Sequence, residues 1–209
     1  MLDHVLLDVI ATVRDGFEAA LLERQPGEER FQVDVFLGDL SWEGSYSLPG
    51  EGYPPRVRAD IGLVWPTWSQ SAYRSWSIGE PHDEPPELLV EVALRVQRLA
   101  VEPGPAQMLA VLPEPPLVGT ESLERSGPTI EKVFGEDLAT SEHAGEVAYD
   151  GTLSLDDAIL GDPAALRTML SGLASWVAST LVRLADLDLA FLPPGDDPPG
   201  DDEESIDSP

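Results

Sequence analysis

Between residues 144 and 190 the spacing of apolar residues changes period within a single turn, and this change constrains the fold more than any other feature of the chain. Val147, Tyr149, Leu153 and Leu155 fall on the two-residue period of a strand. After Asp156-Asp157, the pair Asp162-Pro163 opens a run in which Leu166, Leu170, Leu173, Val177, Leu181 and Leu184 recur three or four residues apart. A switch from period two to period 3.6 predicts a strand followed by an amphipathic helix. Asp162 can accept the free N–H groups of the first turn, and Pro163 suits the first helical position, where no N–H is needed.

The same reasoning applied to the rest of the chain predicts an antiparallel α+β protein. Leu2, Leu6, Val9, Val13, Phe17 and Leu21 define a helix over 2–24, stopped by Gln25-Pro26-Gly27, with Gly16 as a weak point inside it. Strands follow over 31–37 and 41–48, the second alternating Trp42, Gly44, Tyr46 and Leu48 with Ser41, Glu43, Ser45 and Ser47, which gives it one polar face. The segment 49–55 is a Gly- and Pro-rich loop, and Val57 to Trp65 is a third strand with Arg58 and Asp60 on its outer face. Residues 68–78 read as a weaker fourth strand, 86–101 as a helix with the stripe Leu89, Val92, Val96 and Leu99, and Met108–Leu112 as a short edge strand or extended connector between prolines. Pro128–Phe134 reads as a short helix.

This divides the chain into an N-terminal α+β unit at 1–102, a Pro-rich connector at 103–128, a C-terminal strand and helix unit at 129–192, and a disordered acidic tail at 193–209. Residues 73–100 and 149–184 share a plan of strand, acidic proline-bearing link and proline-started helix, each ending in Arg-Leu-Ala, which suggests two related halves.

Charge narrows the functional classes. The chain of 209 residues carries 39 acids against 12 bases, for a formal charge of −27, and its one lysine is Lys132. Binding a phosphate backbone takes several Lys or Arg side chains, so direct contact with DNA or RNA is not expected. The tail holds only seven of the acids, so the acidity belongs mainly to the body. With no cysteine, thiol catalysis and thiolate metal sites are excluded, and no apolar run is long enough to span a membrane. The N-terminus has neither the basic start nor the cleavage site of a signal peptide, so a cytoplasmic protein is expected.

The stretch Gly145-Glu-Val-Ala-Tyr-Asp-Gly-Thr-Leu-Ser-Leu, continuing through Asp162-Pro163 to Leu170, resembles the C-terminal strand and helix of YbjN-like and type III secretion chaperone-like proteins. The resemblance implies an order of helix, antiparallel strands, helix, further strands and a final long helix. It also implies a small, acidic, non-enzymatic module that handles a partner polypeptide, with a homodimer left open and no catalytic residue or cofactor to carry over.

The candidate site residues are weighed against bland alternatives. Trp42, Trp65, Trp68 and Trp76 would make an aromatic surface for a partner if exposed, and core filling if not; Trp65 and Trp68, flanking Pro66, are the ones expected at the surface. His82 with Asp83 and Glu84, and His143 with Glu142 and Glu146, each offer a single imidazole, so no metal site is expected. Asp60 and Glu91 faintly resemble the acids of metal-dependent nucleases, but the basic partner there would be Arg95, and no phosphate loop, nucleophile elbow or dinucleotide fingerprint is present. The expectation is therefore a non-enzymatic, chaperone-like or adaptor protein for a partner that is itself basic, with an acidic nucleic-acid mimic as the alternative.

Overall fold

Five apolar residues two apart, Val57, Ala59, Ile61, Leu63 and Trp65, commit the middle of the chain to a strand buried on one face only. A computed structural model describes residues 2–20, 27–36, 38–48, 50–81, 84–112, 117–118, 121–134 and 141–194. Helix α1 (Leu2–Ala20) leads into a meander of β1 (Gly27–Phe36), β2 (Asp39–Ser47) and β3 (Val57–Trp65), then α2 (Thr67–Ser77) and β4 (Glu87–Leu99). Next come α3 (Pro105–Val111), the small hairpin β5 (Leu117–Val118) and β6 (Glu121–Ser122), and the strands β7 (Glu124–Arg125), β8 (Thr129–Phe134) and β9 (Ser141–Ser154). Two helices follow, α4 (Asp157–Gly161) and α5 (Pro163–Ala185). The sheet order is β1-β2-β3-β4-β9, with β7 and β8 along the outer edge of β9 and every pairing antiparallel. The α+β architecture read from the sequence, an antiparallel sheet covered by helices, is the one present.

Register gives the sheet two unlike faces. Cross-strand rows Trp42–Leu63–Val90 and Tyr46–Ala59–Leu94–Val147 lie on one of them, and all these side chains are buried. Over them runs α5, with Leu170, Leu173, Val177, Leu181 and Leu184 wholly inside and Trp176 edge-on to Tyr149 at 4.8 Å. The start of α5 is as its sequence predicts, because Asp162 accepts the Ala164 N–H at 2.9 Å and Pro163 follows. Each of these buried aliphatic side chains contributes on the order of 1.5–3 kcal/mol of transfer free energy, which is why this one face organises the molecule.

Helix α1 packs on α5, and its Val9, Ile10 and Val13 are buried. Gly16, a weak point by helix propensity, is a contact point in space: a Cβ there would lie 2.7 Å from the Ala174 Cβ and 3.3 Å from the Ser171 Cα. Gly16→Ala is therefore expected to lower stability by about 1–3 kcal/mol through overpacking, opposite in sign to its effect on helix propensity, as a shift in urea midpoint will show.

Four sequence assignments are overturned. Residues 67–77 are a helix and not a strand: Pro66 starts it, and its first N–H is satisfied by the Asp39 carboxylate, which accepts from Thr67 N and Oγ1 at 2.6 and 2.8 Å. That cap lies 28 residues away, so no local signal marks the start. The two bonds also hold the Asp39 pKa below the ordinary carboxylate range. Residues 87–99 are a strand and not a helix. Leu88, Val90, Val92, Leu94 and Val96 fit period two as well as Leu89, Val92, Val96 and Leu99 fit the helical period, and pairing with strands on both sides decides between them.

Residues 105–111 form a helix, with Pro105 in its first turn and Met108 buried against Gly145. Residues 129–134 form a strand along β9. The echo between 73–100 and 149–184 goes with these corrections, since helix precedes strand in the first segment and strand precedes helix in the second. The helix expected over 2–24 spans Leu2–Ala20, and residues 21–24 and the tail from 195 onward lie outside the described residues.

Candidate functional site

The second face of the sheet carries mostly short and charged residues, because most apolar residues of the buried face alternate with polar or small ones. Ser41, Glu43 and Ser45 project from β2, Arg58, Asp60 and Gly62 from β3, Glu91 and Arg95 from β4, and Glu146 and Asp150 from β9. No helix among the described residues covers this face.

Two regions divide it. In one, charges are matched: Arg58 Nε pairs with Asp60 at 2.9 Å, Ser45 Oγ donates to the same Asp60 carboxylate, and Arg95 pairs with Glu131 at 2.8 Å and Glu146 at 3.3 Å. In the other, acids stand in a row. Register sets Glu43, Gly62, Glu91, Asp150 and Glu124 in one line across β2, β3, β4, β9 and β7. Among the described residues no Lys or Arg forms an ion pair with Glu91 or Asp150, although the two stand directly opposite each other. Like charges in that relation repel.

Around this line lies a cavity of about 600 Å³, walled at its acidic end by Glu43, Glu91, Asp150 and Glu124 and at its apolar end by Val64 and Leu89. Val64 and Leu89 are themselves opposite neighbours, and Leu89 is 42% exposed. Partial burial, with the carboxylates of Asp150, Glu146 and Glu43, raises the Glu91 pKa above its ordinary value. A carboxyl whose folded pKa is raised stabilises the fold while protonated. That contribution is complete below the unfolded pKa and is lost as pH rises through the folded one. Glu91→Gln is therefore expected to raise the urea midpoint at neutral pH and to leave it unchanged in acid, where Glu91 is already neutral.

The four tryptophans read as a partner surface do not come together. Trp42 and Trp65 have no exposed area and belong to the core, which corrects the expectation that Trp65 lies at the surface and removes both from the candidate partner surface. Trp65 donates its indole N–H to Ser69 Oγ at 2.9 Å and meets Tyr73 edge-on at 5.4 Å. Trp76 is partly buried on α2, stacked against Tyr73, with its indole N–H donated to Asp157 at 2.7 Å. Trp68 alone of the four has a large exposed surface, at 48%.

The other sequence candidates also disperse. His82 and Asp83 lie outside the described residues, and His143 sits across from Lys132 and Leu99 at the far end of β9. Asp60 and Arg95 are engaged by the ion pairs above. Among the described residues no three or more His, Asp or Glu stand close enough together to hold a metal ion, and no helix is long and apolar enough to cross a membrane. The acidic line escaped the sequence reading because Glu91 was placed on a helix, although the alternation of Glu43 with Trp42 and Gly44 already marked the polar face. No protein family, curated protein or solved structure matches the chain.

Proposed function

We propose that the chain is a non-enzymatic, chaperone-like or adaptor module that grips a partner polypeptide bearing basic residues on the open acidic face of its sheet. The observation that carries this reading is the cavity at Glu91 and Asp150, where facing carboxylates lie beside an exposed apolar wall and no described cation balances them. Carboxylates beside an apolar wall suit a long basic side chain, whose stem is apolar and whose head is cationic. The chain begins with a helix, runs through antiparallel strands around α2 and ends on the long α5, which is the plan that the resemblance to YbjN-like and type III secretion chaperone-like proteins implies, with α3 and α4 as additions to it. A cytoplasmic location and the capacity to form a homodimer belong to the same proposal.

The acidic line also favours a second reading, mimicry of a nucleic-acid backbone, because mimicry needs ordered rows of charge. Salt separates the two. At about 0.5 M salt screening acts within a few ångströms, so a purely electrostatic mimic releases its target, while a partner held also by Val64 and Leu89 is retained. The test is capture from native cytoplasm with the tagged full chain, washed at low and then high salt and read by mass spectrometry. A defined polypeptide retained at high salt by the native chain and lost from Glu91→Gln/Asp150→Asn is the expected result. Retention by that double variant would overturn the reading, and loss of basic DNA-binding proteins at high salt would favour mimicry. Because protonating Glu91 removes charge from the site, capture is also expected to weaken as pH falls through the raised Glu91 pKa.

A further inference from the structure

Gly62 occupies the middle of β3, between Glu43 of β2 and Glu91 of β4, and nothing in the fold requires a glycine there. A Cβ at this position would meet only the Glu91 Cβ, at an ordinary 3.7 Å, and the backbone is not left-handed. Gly44, on the neighbouring strand, is different: a Cβ there would fall 2.6 Å from the Trp42 ring. Glycine in the interior of a strand weakens it and offers no side chain to pack, so an unforced one marks a place that another group approaches closely. At Gly62 the missing side chain is what opens the floor of the 600 Å³ cavity.

Resting on the function proposed above, we propose that Gly62 keeps open a slot for a single arginine side chain of the bound polypeptide. The guanidinium lies over the Gly62 backbone between Glu43 and Glu91, with Asp150 one strand beyond Glu91, and the aliphatic stem runs along Val64 and Leu89. Glu43 and Glu91 are separated by two strand spacings, about 10 Å. That gap is of the size for a planar cation with a carboxylate at each edge, and too wide for a metal ion bound by both. A guanidinium can bridge carboxylates through paired N–H donors, which a lysine ammonium, acting as a point charge, does less well. The slot therefore gives a diffuse acidic surface one position of defined chemistry, as the buried centre of an interface needs.

The test uses the isotope-labelled full chain and two pentapeptides, one with a central arginine flanked by glycines and one with citrulline, which has the same shape without the charge. Amide shifts at Gly62, Glu91, Asp150 and Leu89 are expected to saturate with the arginine peptide and stay still with citrulline. Gly62→Val fills the slot without changing any charge, and is expected to weaken arginine binding at least tenfold while the rest of the spectrum remains that of the folded chain. An unchanged dissociation constant in Gly62→Val, no saturable shift in the native chain, or shifts spread evenly over remote acids such as Glu80, Glu102 and Asp186 would overturn the slot. Such results would leave the acidic-face reading standing on the capture experiment, which Gly62→Val would then pass and Glu91→Gln/Asp150→Asn would fail.

Discussion

Trp65→Ala is expected to cost about 3–5 kcal/mol of unfolding free energy, the range for removing a large aromatic from a packed interior. The residue has no exposed area, closes the end of β3, and holds three elements together through its indole N–H. Ser69 Oγ, which accepts that N–H, in turn accepts the Glu87 N–H at 2.6 Å and donates to the Glu87 carbonyl at 2.7 Å. Truncation leaves a cavity beside Tyr73 and removes one member of a chain of hydrogen bonds joining β3, α2 and β4. Trp68→Ala, three residues on and half exposed, is expected to change stability by less than about 0.5 kcal/mol, as surface substitutions do. Urea denaturation of the pair gives the two midpoints, and near-equal losses would show that core and surface have been misassigned along this stretch.

Arg98→Met is expected to act in the opposite direction, raising stability by about 1–2 kcal/mol. Arg98 sits at the irregularity in β4, is 3% exposed, and has a left-handed backbone at φ +57°. Among the described residues neither its Nε nor its Nη1 has a hydrogen-bond partner, and burial pulls its pKa down. The nearby Glu51 carboxylate is already engaged: it pairs with Arg56 at 2.7 Å and accepts the Val57 N–H at 3.1 Å. A cation removed from water without full pairing costs several kcal/mol, and an apolar side chain of similar length keeps the packing without that cost. A higher denaturation midpoint at unchanged slope is the expected signature. A drop of similar size would mean that the attraction between the Arg98 guanidinium and the Glu51 carboxylate outweighs the cost of burial.

Where the sequence was legible, one period dominated and the capping signal was local. The helix α5 shows this: its stripe, its Asp162 cap and Pro163 all lie within 162–184, and β3 shows it through five alternating positions. Illegible elements were those in which both periods fit or the deciding partner was remote. Leu88-Leu89-Val90 satisfies either period, and only the ladders to Leu63 and Leu153 make it a strand. The start of α2 depends on Asp39, and β8 forms because β9 presents an edge to it. The site inherits these limits. Its β2 and β3 contributions could be read from alternation, but Asp150 and Glu91 become neighbours only once β4 is known to be a strand.

The position of α5 has a consequence for synthesis. The strands from β1 to β4 pair with chain neighbours and can assemble as they emerge, yet the apolar face they build is closed mainly by a helix that begins only at Pro163. Until the ribosome has released that helix, a nascent chain carries a β-branched apolar sheet with one side bare, which is the form of intermediate most exposed to aggregation. Final packing is therefore expected to be a late event. A chain halted before residue 163 is expected to engage cellular chaperones, and the released full chain to leave them.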